Sequence, residues 1–449
     1  MTCAATACSD DDDFVSTRSG QPPNFLVIVV DTLRADRIDP PGRTPERTPH
    51  IDALRRESID FSHARTTSSW TLPATVSLLV SQLPSEHGAA HWGSTLDAGL
   101  VPLSEVLHGA GYRTGGWSAN RLVVPERGFD RGFDHFELVV HPEWQFGTPG
   151  ASPFAFATAD MVIDRALEWF DAALPADPPA PYFAYLHWME PHTPYFCAPD
   201  MGPDCPPVAL DLARHLTLAQ WDFTPEQQKI LSALYDADVR LVDAALARLM
   251  TALEARGLLD DTWIILTADH GEMLGEHGLY VHGNGMREEV LRVPLLIRSP
   301  TRRAVRVETA VSLIDVAPTI LAAAGLSAPV DWKGQSLLDL AAGKIRDPMP
   351  LVAELLPVRD EPDRLQRHLA AVVEGQTKWV LWVDGRVERI DLATDPGELN
   401  PRPVELGEFK AVLARAGVHH PYTEAMGDPT PTITPEMREQ LEGLGYVHE

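Results

Sequence analysis

The chain has 449 residues, of which 44% are hydrophobic and 22% charged, a globular composition long enough for one large core and a smaller companion unit. Its 64 acidic against 37 basic residues leave a formal net charge of -27. That excess excludes nucleic acid and an anionic membrane surface as partners, and any anionic substrate must meet local cations or a metal.

The opening MTCAATACSDDDD contains Ala5-Thr6-Ala7-Cys8, which has the form of the cleavage end of a bacterial lipoprotein signal with an acidic tether behind it. Residues 1–23 are therefore expected to be a signal remnant or disordered tether, and the protein to be exported, periplasmic or lipoprotein-anchored. The apolar stretch of such a signal is missing, so a soluble cytoplasmic protein is the alternative. No run of about 18 apolar residues occurs, and no transmembrane segment is expected. NFLVIVV (24–30) reads as a strand buried on both faces, ending in Asp31. In SSWTLPATVSLL (68–79), Thr71 precedes Pro73 by two places and a helical run starts at Ala74. Proline suits the first turn of a helix, so Thr71 is expected just outside the N-terminus, either capping it or offering its hydroxyl to chemistry there.

LSEVLHGAGYRTG (103–115) reads as a helix passing into a strand. Cys197 and Cys205 bracket the loop CAPDMGPDC and either close a disulfide or remain two free thiols. Residues 234–257 have apolar positions at helical spacing up to Gly257, and TWIILT (262–267) is a second buried strand that runs into Asp269-His270-Gly271. The alternation predicts an α/β fold, a large mixed, mostly parallel sheet flanked by helices, over residues 24–345. In such sheets ligands lie beyond the carboxyl ends of the strands, where Asp31 and Asp269 fall. From residue 346 to 449 the short alternating segments AAVVEG, KWVLWVDG and VERIDLAT predict a smaller antiparallel α+β subdomain, with a terminal helix at 434–445. Two carboxylates and an imidazole converging at one end of a sheet form a divalent-metal site, open to zinc, manganese, magnesium or calcium. A metal there would lower the pKa of the Thr71 hydroxyl and aim it at an electrophile.

The motifs VVDTLRAD, WTLPATVSLLVSQLPSEHG, HWMEPHTPY, LTADHGEMLGEHG and RVPLLIRSP, followed by SLIDVAPTILAAAGL, GQSLLDL and DLATDPGELN, resemble in that order the sulfatase family of the alkaline phosphatase superfamily. The resemblance runs from about residue 24 to 447. It implies an alkaline phosphatase-like fold and an ester hydrolase, with Asp31, Asp269 and His270 as metal ligands and Thr71 as both ligand and nucleophile. It further implies that His192 contacts the substrate anion or protonates the leaving oxygen, with His187 and Glu190 lining the same loop, while His187 has the alternative of a hydrogen-bonded structural histidine. His282 falls where sulfatases have an anion-binding lysine, and Asn120 is placed among the substrate contacts. Glu272, Glu276 and His277 are expected to shape the loop after the ligands without a catalytic role.

The departures from the family pattern separate substrate classes. Sulfatases resemble one another in Cys-x-Pro-x-Arg or Ser-x-Pro-x-Arg, whose first residue becomes formylglycine; here the stretch reads Thr71-Leu72-Pro73-Ala74-Thr75. The methyl on the threonine β-carbon prevents formation of an aldehyde. The second aspartate of the usual pair is Thr32, and the family's Gly-Lys-Trp-His is replaced by Gly116-Trp117-Ser118-Ala119-Asn120, so one metal is expected rather than a larger cluster. Without the second hydroxyl of a formylglycine hydrate, a threonine ester must be cleared by attack at the central atom, a route familiar for phosphoryl groups. The expectation is a metal-dependent hydrolase of a phosphodiester or phosphonate monoester, acting on a small-molecule or a lipid- or glycan-derived anionic ester. The alternatives are a sulfuric ester hydrolase working without formylglycine and a non-catalytic binding protein of the same fold.

Overall fold

The computed structural model describes residues 22–38, 47–141, 157–174, 180–195, 212, 215–216, 221–345, 349–355 and 368–418. The expected tether up to residue 21, the Cys197 and Cys205 pair and the expected helix at 434–445 lie outside the described residues.

NFLVIVV becomes β1 (Asn24–Val30), the centre of an eight-stranded sheet that also contains β2 (Ile59–Phe61), β3 (Arg113–Ser118), β4 (His135–Leu138), β5 (Tyr182–Trp188), β6 (Thr262–Thr267), β7 (Leu295–Arg298) and β8 (Val305–Val307). The order is β8-β2-β7-β6-β1-β5-β3-β4. Only β7 runs antiparallel to both neighbours. The apolar runs in β1 and β6 are continuous rather than alternating because helices cover both faces of the sheet. Register then sets the site: Val29 pairs with His187 on one side and Thr267 on the other, and His187 pairs with Ser118. The chain therefore leaves β1, β3 and β6 at one level, and delivers Asp31, Asn120 and Asp269 to the same edge.

The principal helices are α1 (Thr71–Val80), α2 (Leu103–Gly109), α3 (Ala159–Ala173), α4 (Pro225–Ala255) and, in the C-terminal region, α5 (Leu406–Arg415). Every residue of α1 is buried, the hydroxyl residues Thr71, Thr75 and Ser77 included. α4 starts at Pro225 rather than at the expected 234, because Thr224 and Gln227 exchange hydrogen bonds (3.3 and 2.8 Å) in a capping box with Pro225 in the first turn. Among the described residues no helix is long and apolar enough to cross a membrane.

Five further strands, β9 (Leu351–Glu354), β10 (His368–Glu374), β11 (Thr377–Trp382), β12 (Val387–Asp391) and β13 (Arg402–Val404), form a separate antiparallel sheet in sequence order. α5 covers it with Phe409, Val412 and Leu413. Two sets of polar contacts tie this sheet to segments of residues 24–345 that flank the larger one. The fully buried Lys378 Nζ lies 3.0 Å from Glu288 Oε1 and 2.9 Å from Glu398 Oε1, while Arg65 Nη2 sits 2.8 Å from Glu288 Oε2. The second set reaches the segment before α1: Ser68 Oγ donates to the Glu354 carbonyl (2.8 Å), and Glu354 N–H donates to the Thr67 carbonyl (2.7 Å).

Candidate active site

Asp31 follows β1 directly, and the next residue, Thr32, has φ +58°, a left-handed conformation rarely adopted by a β-branched side chain. The bend turns the Thr32 N–H onto Asp269 Oδ1 (3.2 Å) and lets its carbonyl accept from the Tyr235 hydroxyl (2.7 Å). Each carboxylate is thereby tied at one oxygen. Asp31 Oδ2 accepts from Asn120 Nδ2 at 2.5 Å and faces His187 Nε2 at 3.4 Å; Asp269 Oδ1 also accepts from His270 N–H at 2.8 Å. The other two oxygens, Asp31 Oδ1 and Asp269 Oδ2, are buried with no hydrogen-bond partner. His270 Nε2 lies 3.8 and 3.5 Å from them, and its Nδ1 donates to the Gly271 carbonyl at 2.9 Å. That bond fixes the tautomer in which Nε2 offers its lone pair, the usual arrangement of a metal-binding histidine.

One donor atom each from Asp31, Asp269 and His270 lies within 4.8 Å of the others. Burial pushes the Asp269 carboxyl up, and the Asp31 charge beside it pushes it further. Asp31 stays low, because its neighbours His192, His187 and His270 outweigh the same burial. Two dry carboxylates with facing orphan oxygens are a donor set that a divalent cation fits.

Thr71 is the first residue of α1, not the residue before it; Trp70, extended at φ -154°, occupies the cap position, and no side chain caps the helix. The Thr71 hydroxyl points elsewhere, with Oγ1 3.3 Å from His270 Nε2 and 3.5 Å from Asn120 Nδ2. The expected position of Thr71 is corrected by one residue. Its side chain is at the donor cluster.

His187 lies inside β5 rather than on the loop, with Nδ1 2.8 Å from the Tyr185 hydroxyl and Nε2 toward Asp31. It supports a carboxylate. The Glu190 carboxylate accepts from Ala159 N–H at 3.0 and 3.2 Å, at the start of α3, and burial pushes it up to about 7. His192 and His282 come together, their ring centres 4.8 Å apart, and His282 lies 4.5 Å from the His270 ring. Burial holds His192 down to about 4, and its Nδ1 donates to the Thr193 carbonyl.

Glu272 has a larger place than the sequence reading gave it. Its Oε1 is 2.8 Å from His282 Nδ1, its Oε2 accepts from Thr193 N–H at 3.2 Å, and burial pushes it up to about 7. Glu272 thus joins the loops that carry His192 and His282. The signal was its position two residues after a metal-type histidine, which spacing alone does not distinguish from a loop carboxylate. Glu276 accepts from Arg34 Nη1 (2.8 Å) and Leu274 N–H (2.7 Å).

Such a sheet, with carboxylates, an imidazole and a hydroxyl gathered beyond its strand ends, has the architecture expected of an alkaline phosphatase-like α/β protein. The sulfatase profile matches residues 23–326, and that of the N-sulphoglucosamine sulphohydrolase C-terminal region matches residues 275–403. The chain belongs to the sulfatase family. YidJ, an uncharacterized sulfatase of Escherichia coli (strain K12), is 26% identical to it over 422 residues, 84% of this chain and 82% of that one. The multifunctional alkaline phosphatase superfamily protein PehA of Trinickia caryophylli is 29% identical over 407 residues, 72% of this chain and 78% of that one. The crystal structure of the phosphonate monoester hydrolase of Agrobacterium radiobacter shares the fold, with a TM-score of 0.66 at 23% identity over 90% of this chain and 94% of that one. Membership of a hydrolase family sets aside the non-catalytic reading.

Proposed function

We propose that the protein is a divalent-metal-dependent hydrolase in which Thr71 attacks a phosphorus centre, that of a phosphodiester or phosphonate monoester. The observation that carries this reading is the buried Thr71 hydroxyl, which lies at the first residue of α1 and 3.3 Å from His270 Nε2. Asp31 Oδ1, Asp269 Oδ2, His270 Nε2 and the Thr71 hydroxyl would hold one cation, and this mixed oxygen and nitrogen set suits zinc or manganese better than magnesium or calcium. When bound, the cation lowers the pKa of the hydroxyl and offsets the charge of the substrate oxygens. Asn120 Nδ2 reaches both Asp31 and Thr71 and keeps nucleophile and ligand in register. His192 and His282 face the non-bridging and leaving oxygens of the substrate. The fold shared with a phosphonate monoester hydrolase supports a phosphorus substrate, taken as a small-molecule or a lipid- or glycan-derived anionic ester.

A second reading, hydrolysis of a sulfuric ester by unmodified Thr71, is supported by the family itself and by the sulfatase YidJ. Initial rates on the four nitrophenyl esters (sulfate, phosphate monoester, phosphodiester, phosphonate monoester) separate the two with zinc- or manganese-loaded protein. The expected result is a diester or phosphonate that reacts fastest and a Thr71→Ala variant that keeps its metal but loses at least ~10³-fold in kcat. Sulfate reacting fastest would favour the second reading. Full activity in Thr71→Ala would remove the nucleophile from both.

A further inference from the structure

We infer that Glu354 is a positioning residue that fixes Thr71 for attack by gripping the chain on both flanks of α1, an assignment that rests on the hydrolase reading above. Glu354 is the last residue of β9, the edge strand of the C-terminal sheet, and is fully buried. On an edge strand the buried backbone groups that face away from the ladder need partners elsewhere. The Glu354 N–H donates to the Thr67 carbonyl at 2.7 Å, and the Glu354 carbonyl accepts from Ser68 Oγ at 2.8 Å. Thr67 and Ser68 stand four and three places before Thr71. The side chain of the same glutamate reaches the chain beyond the other end of the helix. There Oε2 accepts from Ser85 N–H at 2.6 Å and Oε1 accepts from Ser85 Oγ at 2.8 Å. α1 ends at Val80, so one residue of the C-terminal sheet holds the chain before the helix and after it.

A helix of ten residues is a rod about 15 Å long, and a rod tied at both ends resists sliding and tilting. The segment ahead of it has two further anchors: Thr66 N–H donates to the Leu291 carbonyl at 2.9 Å, and Gly283 N–H donates to the Ser69 carbonyl at 2.8 Å. Both come from the larger unit, whereas Glu354 brings in the C-terminal sheet. Thr71 is the first residue of α1, and the distance of its oxygen from an electrophile follows any shift of the rod. A misplacement of about 1 Å costs roughly 10²-fold in rate. Asp31, Asp269 and His270 follow β1 and β6 and do not ride on α1. Loosening the rod therefore lowers the rate and spares the metal.

The test compares zinc-loaded wild type, Ser68→Ala, Glu354→Ala and Glu354→Gln on whichever nitrophenyl ester the wild type turns over fastest, and reads kcat, KM and the zinc Kd. Glutamine keeps an oxygen for the Ser85 N–H and offers an N–H to the Ser85 hydroxyl, so it conserves the grip. The expected result for Glu354→Ala is a loss of about 10- to 100-fold in kcat, with a smaller loss in Ser68→Ala. KM and the zinc Kd stay close to their wild-type values in both, the pattern of an interaction lost only from the transition state, and Glu354→Gln recovers most of the rate. Wild-type kcat in both alanine variants, a loss matched by equal losses of substrate and zinc affinity, or a Glu354→Gln as slow as Glu354→Ala would overturn the assignment. If Glu354→Ala does not fold, Ser68→Ala alone must lower kcat at constant KM and zinc Kd, and any other pattern overturns the idea. Preference for sulfate removes only the phosphorus reading, since Thr71 must be held for attack on either centre. A wild type inactive on every ester overturns the hydrolase reading and this assignment with it.

Discussion

Asp31 and Asp269 each present one satisfied and one orphaned oxygen, and the residues that satisfy the first aim the second. Asn120 is the closest of these, 2.5 Å from Asp31 Oδ2. Outer contacts of this kind change metal affinity by about 10- to 100-fold when removed. Asn120→Ala is therefore expected to weaken zinc binding by that factor, read from competition with a chromophoric chelator. An unchanged Kd would mean that Asn120 serves Thr71 alone. The two aspartates, His270 and Thr71 were legible in the sequence because each ends or begins a strongly apolar element. Glu272 was not, for it sits on a loop whose course depends on Thr193, 79 positions away. His187 was legible as a polar residue of interest but not as a strand residue facing Asp31, because only the β1 to β5 register shows which way it points.

At the scale of elements, α1 carries Thr71 and rests on a buried imidazole. His87 accepts the Ala89 N–H at Nδ1 (3.0 Å), so its Nε2–H faces Ser77 Oγ in the middle of α1, also at 3.0 Å. Burial drives the His87 imidazole down to about 3 from an ordinary 6.5. Below pH 6.5 the unfolded chain takes up a proton that the folded chain refuses. The stability contributed by neutral His87 is thus complete above 6.5 and is lost as pH falls from there toward 3, by a few kcal/mol over the full range. Melting temperatures of wild type and His87→Gln between pH 8 and 5 check this: the acid-side fall should be shallower in the variant, and parallel curves would contradict it. Periodicity found α1 and β6 but missed the first nine residues of α4, since PEQQKILSA (225–233) is mostly polar or exposed. The capping signal Thr-Pro-Glu-Gln was present and would have placed the start.

At the scale of the molecule, Lys378 on β11 joins the C-terminal sheet to the helical turn that Glu288 opens. Its ammonium is surrounded by Glu288 and Glu398, whose carboxylates come from either side of the junction. Removing the cation leaves buried anions short of a partner, which costs about 3–5 kcal/mol. Lys378→Met is expected to lose that much in urea unfolding at pH 7, and a change below about 1 kcal/mol would show that the junction is held by packing instead.

Glu288 also opens the short helical turn Glu288–Leu291, whose Val290 carbonyl accepts from Gly271 N–H at 2.9 Å. Gly271 follows His270, and a β-carbon there would lie 2.0 Å from the Glu289 carbonyl oxygen, so the backbone after the metal donors is seated directly on that turn. The partner that steadies the turn is 90 positions further along the chain. During synthesis the residues proposed to hold the cation, Asp31, Thr71, Asp269 and His270, therefore leave the ribosome before the lysine that steadies their seat, and a chain lacking the C-terminal strands is expected to bind zinc more weakly than the whole protein. A chain stalled between the two presents an unseated carboxylate pair, not a working half-enzyme.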